Sequence, residues 1–224
     1  TPSGGNDIRI ERWNAAGTSV LATFLLDSGA ENFCRRLLLA SDDILLSGIS
    51  EGKGFITKLQ SGNLSQVWFK NDYTTAGTNP QPLLRIEDVI SGAGTNRFIA
   101  VGRATGPNVN TVFTIDASGN TVSKFNTLLS GAVAEHLARE ANGDIFIAGG
   151  DHIEQRDSTG VFQYENDASD APFDLPENIR GLFIKSGGGL ALIGNTQIYQ
   201  RGRDAMFSLL DTALQVQTSQ LYWN

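Results

Sequence analysis

The sequence predicts an all-β chain made of about five copies of one four-stranded unit, and three observations predict it. An apolar strand ending in glycine occurs four times. The copies are Ile44-Leu45-Leu46-Ser47-Gly48, Phe98-Ile99-Ala100-Val101-Gly102, Ile145-Phe146-Ile147-Ala148-Gly149 and Leu190-Ala191-Leu192-Ile193-Gly194, with the glycines 54, 47 and 45 residues apart. A strand running into a turn of Asn, Gln or Asp and small residues occurs five times. These turns are Trp13-Asn14-Ala15-Ala16-Gly17, Leu59-Gln60-Ser61-Gly62, Ile115-Asp116-Ala117-Ser118-Gly119, Arg156-Asp157-Ser158-Thr159-Gly160 and Leu210-Asp211-Thr212-Ala213. Sustained 3.6-residue periodicity is lacking, so helices do not compete for these segments. Four strands repeating every 45 residues or so are the blades of a β-propeller, whose sheets each need a neighbour to cover their apolar faces.

Taken in chain order, each full unit reads as strands a, b, c and d. Strand a covers 33–40, 83–90, 134–139 and 179–185, and the glycine-ended segment is strand b. The a–b turns carry Ser41-Asp42-Asp43, the glycines of 92–96, Ala141-Asn142-Gly143 and the glycines of 186–189. Asn-Gly and Gly-rich turns supply the left-handed positions that close hairpins. In the c–d turns, an Asp or Asn side chain bonds the backbone two residues on. Strand d often carries an aromatic, as at Phe24, Trp68, Phe125, Tyr164, and Tyr222 or Trp223. The stretch 132–141 has helix propensity, but its place in the repeat makes it strand a.

One propeller domain over 1–224 is therefore expected, with blades near 7–28, 31–72, 81–129, 132–168 and 178–224. The first blade shows only strands c and d and reads as incomplete unless Thr1 to Asp7 supplies the rest. A five-bladed ring with one thin blade, a piece of a longer propeller, and an incomplete ring finished by another subunit all satisfy this count. Exposed sheet edges favour pairing with another chain.

Composition narrows the function. The net charge of −7 opposes the phosphate backbone, so nucleic-acid binding is not expected. Neither a membrane-spanning run nor a basic amphipathic segment is present, so no membrane insertion is expected. The single cysteine, Cys34, excludes an intrachain disulfide; beside Phe33 and 37–39 it reads as a buried, inert core thiol. A start at Thr1-Pro2-Ser3-Gly4-Gly5 fits either a processed exported protein or a fragment.

The segment Phe55-Ile56-Thr57-Lys58-Leu59-Gln60-Ser61-Gly62-Asn63-Leu64-Ser65-Gln66-Val67-Trp68 resembles the repeat of secreted bacterial β-propeller proteins. In that family a glycine-ended strand leads to a lysine-leucine-aspartate hairpin closed by glycine and asparagine, then to a strand with Trp. Weaker copies lie at 112–125 and 205–215; Gln60 departs from the family's aspartate. The resemblance implies an extracellular or cell-surface, noncatalytic protein.

The residues themselves suggest where chemistry would sit. Polar side chains Arg85, Glu87, Arg139 and Arg180 fall on strand a copies, where they would line a channel or mouth. Tyr73, Phe173 and Tyr199 lie in connections, as sugar or protein contacts or as packing between blades. The variable connections 104–110 and 196–204 are where binding residues of a repeat array collect. Five acids crowd 165–177; Asp167, Asp170 and Asp174 are candidate calcium ligands, the alternative being a solvated acidic loop. Glu87, Asp88, Glu135 and Asp144 are the carboxylates available to a glycan-active enzyme, although each also suits a strand end or turn. His136 and His152 with one cysteine make no zinc site of usual spacing. The reading is a noncatalytic binding or assembly module acting through protein–protein contacts, with carbohydrate binding or a carboxylate-pair enzyme as alternatives.

Overall fold

The computed structural model describes residues 6–94, 97–105, 109–129, 132–167, 175–196 and 204–222. Eighteen strands form among them, and no helix. The first sheet has two strands, β1 (Ile8–Trp13) and β2 (Val20–Leu26). Four sheets of four antiparallel strands follow in simple order. They comprise β3 (Asn32–Ala40), β4 (Asp43–Ser50), β5 (Lys53–Gln60) and β6 (Gln66–Lys70); β7 (Leu83–Ser91), β8 (Phe98–Ala104), β9 (Asn110–Ile115) and β10 (Thr121–Asn126); β11 (His136–Arg139), β12 (Ile145–Gly149), β13 (His152–Arg156) and β14 (Phe162–Asp167); and β15 (Asn178–Ile184), β16 (Leu190–Thr196), β17 (Asp204–Leu210) and β18 (Val216–Tyr222). The first sheet thus holds the c and d strands alone, and 136–139 is strand β11 despite its helix propensity.

Local chemistry fixes the hairpins. In the β9–β10 turn the Asp116 carboxylate accepts from the backbone of Ser118 and Asn120, both at 2.9 Å, and Gly119 takes φ of 80°. Asp157 and Asp211 repeat the arrangement, accepting from Thr159 and Val161 and from Ala213 and Gln215. Two turns put leucine at the left-handed position instead, Leu64 at φ 57° and Leu214 at φ 60°. Both side chains are buried, and that burial offsets a conformation L-residues avoid.

The chain divides into two compact units, Thr1–Asn126 and Thr127–Asn224. In the first unit, the β1–β2 sheet lays Ile8 and Phe24 against Leu46, Phe55 and Leu59 of the next sheet. The other face of that sheet sets Leu45 and Ile56 against Leu83, Ile86, Val89 and Phe113. In the second unit, Phe146, Ala148 and Ile153 pack on Ile179, Leu182, Leu190 and Leu192. Large apolar side chains facing across stacked sheets supply the core, each fully buried one stabilising by about 1.5–3 kcal/mol.

Candidate functional site

The recurrent glycine has a structural cause that also positions the polar residues. A Cβ on Gly48 would stand 1.8 Å from Phe33 O, on Gly149 1.7 Å from Val133 O, on Gly194 2.3 Å from Asn178 O, and on Gly102 2.7 Å from Arg85 O. Strand a crosses strand b closely at each glycine because it bulges there. Cys34 pairs with Gly48 but Arg36 with Ser47, leaving Arg35 as the extra residue. Glu87 is the extra residue between Ile86 and Asp88, and Arg180 between Ile179 and Gly181. At the fourth copy, Glu135 N donates to Ala148 O while His136 pairs with that same residue. A bulge re-aims side chains and interrupts pairing, and here it singles out charged residues on an edge strand.

In the first unit two of these bulges meet. Glu87 is buried, and two arginines reach it: Arg35 Nε lies 3.5 Å from Oε2 and Arg85 Nε 3.3 Å from Oε1. Beside them Arg36 Nε lies 3.2 Å from the buried Asp88 carboxylate. Arg85 gets this close because the β5 residue Gly54 has no side chain; a Cβ there would meet the Arg85 carbonyl carbon at 2.8 Å. A buried carboxylate is tolerated when it is paired, and these pairs hold the guanidiniums by one edge. Above them opens a cleft of about 330 Å³ lined by Phe33, Cys34, Arg35, Ile49 and Arg85. Among the described residues three arginines here face two carboxylates, on a chain whose net charge is −7.

Arg85 and Glu87 are thus brought together, and Arg35 and Arg36 join them. Arg139 and Arg180 belong to the second unit, Arg139 half-buried near the Gly143 turn and Arg180 exposed at its bulge. Tyr73 is not a surface contact. Its ring packs on Phe113 with centroids 4.8 Å apart, and its hydroxyl donates to Gly119 O at 3.1 Å. Burial, with the charges of Asp72 and Asp116 adding to it, pushes its phenol well above the ordinary range.

The reading of Cys34 as a core thiol is corrected: the residue is exposed. β3 is the edge strand of its sheet, and the bulge at Arg35 turns Cys34 into the cleft. Burial of the sulfur still raises the thiol pKa, opposed by hydrogen bonding with the Arg36 backbone. Asp144 serves its turn, accepting from Asn142 and Gln155 at 3.0 Å. Phe173, Tyr199, Asp170 and Asp174 lie outside the described residues, as does the side chain of Asp167. Among the described residues no group of three or more His, Cys, Asp or Glu is placed to hold a metal.

No protein-family model matches this sequence, and no curated protein does. Solved structures do match its fold. A functionally unknown protein from Desulfotomaculum acetoxidans superposes with a TM-score of 0.64 at 11% identity, over 96% of this chain and 63% of that one. The Dos1 propeller gives 0.61 at 13%, over 96% and 54%. The WD40 domain of Neurospora crassa Pan2 gives 0.57 at 11%, over 84% and 49%. A protein of unknown function from Bacteroides caccae gives 0.61 at 12%, over 95% and 68%. The fold is of the β-propeller class, and the chain spans roughly half to two thirds of the length of these structures.

Proposed function

We propose that this chain is a noncatalytic binding and assembly module that acts through protein–protein contacts. The observation that carries the reading is the outer face of the β15–β18 sheet. On the inner face Leu182, Leu190, Leu192 and Leu210 are buried in the core of the second unit. The outer face is also apolar, but Phe183 is 54% and Ile193 46% exposed there, beside half-buried Ala191, Phe207 and Leu209. Scattered exposed apolar residues need no explanation, whereas a contiguous apolar sheet face marks an interaction surface. The first sheet's outer face is mixed, with exposed Leu21 and Leu25 beside the Arg9–Glu11 ion pair and Thr23. Stacking the outer face of the β15–β18 sheet on a sheet of another copy would repeat the sheet-on-sheet packing found inside each unit.

The WD40 and propeller neighbours support a binding role in general. An extracellular or cell-surface setting is part of the proposal and rests on the repeat resemblance at 55–68. Size-exclusion chromatography with light scattering over a concentration series tests the assembly. A mass rising above the 24.0 kDa of one chain is expected, and Phe183→Asp with Ile193→Asp should return it to one chain. A wild-type protein that stays at that mass at every concentration would remove self-assembly from the proposal.

A further inference from the structure

We propose that the cleft between Arg35 and Arg85 is a binding site for a small organic acid, a carboxylate on a short apolar stem. Both arginines approach Glu87 through Nε, and among the described residues neither has an ion pair to a second carboxylate, which leaves their terminal amino nitrogens for a ligand. A guanidinium presents its donors in a fixed fork that matches a carboxylate, and anchoring one edge pre-organises the rest. Glu87 does not neutralise the site, because one carboxylate faces two guanidiniums. Arg36 is matched by Asp88 and stands apart from this imbalance. The walls decide the rest of the ligand. Phe33 and Ile49 flank the arginines, so a purely hydrophilic anion would leave an apolar wall wet. A volume of about 330 Å³ is at the lower end for small-molecule sites, which run from roughly 300 to 1,000 Å³. The site is independent of the apolar sheet face and would stand if self-assembly failed.

Cys34 makes the proposal measurable, being the single cysteine and lining the same cleft. Its thiolate displaces iodide from iodoacetate, an anion, or from iodoacetamide, a neutral molecule of similar size. The raised thiol pKa slows both reactions alike, so the ratio of the two rates reports the local field. That ratio should exceed the value for a free thiol, and Arg35→Gln should lower it about two- to fivefold. Hexanoate should slow both alkylations saturably, whereas hexanol and inorganic phosphate at equal concentration should not. Arg35→Lys should restore the rate ratio but only part of the protection by hexanoate, because charge survives and the fork does not. Arg35→Gln leaves Arg85 on Glu87, so it is the primary variant, with circular dichroism confirming its fold. Unchanged protection by hexanoate in Arg35→Gln would overturn the site. So would equal protection by hexanol, by phosphate, or by none of the three.

Discussion

Replacing Gly48 with alanine tests whether the repeated glycine exists for the strand crossing. The new methyl carbon would stand 1.8 Å from Phe33 O and 2.9 Å from Phe33 C, both backbone atoms that no rotamer change can move. The bulge in β3 must therefore retreat by more than an ångström, loosening its pairing to β4 at Cys34 and Arg36. Overfilling a packed site costs about 1–3 kcal/mol when side chains absorb it, so a backbone clash belongs at the top of that range. For a domain of this size each kcal/mol lowers Tm by about 2–4 °C, which gives a fall of roughly 6–12 °C. Gly62→Ala is the matched control. Its Cβ would meet nothing within 4 Å and its φ is not left-handed, so it should be neutral or stabilise by about 0.4–1 kcal/mol. Urea denaturation of both variants, with Gly102→Ala as the milder case at 2.7 Å, gives the order of loss as 48, then 102, then 62. If Gly48→Ala unfolds at the same urea concentration as Gly62→Ala, the glycines are not there for the crossing and the bulge argument fails.

Three further outcomes follow from single residues. The turn hydrogen bonds from Asn120, with further ones from Asn120 and Ser118, hold the Asp116 carboxyl below the usual carboxylate range. A lowered folded pKa contributes stability above the unfolded value near 3.9 and loses it as pH falls through the folded one. The urea midpoint should therefore drop less steeply below about pH 4 in Asp116→Asn than in wild type. Tyr73, whose phenol is raised chiefly by burial, should stay neutral in the folded protein. It should ionise only as the chain unfolds, with stability lost as pH rises past about 10; the phenolate absorbance of wild type and Tyr73→Phe separates its signal. Leu64→Gly removes a left-handed strain of about 1–2 kcal/mol but also a side chain only 2% exposed. Loss of the buried leucine costs about 2–5 kcal/mol, so the net effect in thermal unfolding is destabilising.

Much of the fold was legible because its determinants are periodic. Apolar strands ending in Gly48, Gly102, Gly149 and Gly194 and the Asp116, Asp157 and Asp211 turns are local signals that recur, so each copy corroborates the others. The two-stranded first sheet was legible for the same reason, since Trp13-Asn14-Ala15-Ala16-Gly17 is a c–d turn with no glycine-ended strand before it. Misreadings fell where exposure depends on which strand lies at an edge. The apolar run 37–39 suggested a buried strand around Cys34, yet β3 is an edge strand and leaves Leu37 and Leu39 exposed, Leu39 to 65%. Tyr73, open to reading as a ligand contact or as packing between blades, is buried, because its connection runs under the β9–β10 turn.

The charged cleft was half visible for a reason that lies in the bulge. Arg85 and Glu87 stood out as polar residues on an apolar strand, but Arg35 was not singled out, since β3 alternates poorly and its arginines look like a solvated edge. Position relative to the repeat carries the missing signal. Arg35, Glu87, Glu135 and Arg180 stand 13, 15, 14 and 14 residues before the four glycines, and those are the residues the structure places at the bulges. The steric demand of the crossing fixes the backbone at these points in every copy, while the side chain there leaves the apolar core. A position whose backbone is dictated and whose side chain is not can differ between copies. Arginine in one copy and glutamate in the next, on stacked neighbours, then becomes an ion pair and an anion cleft without altering the framework.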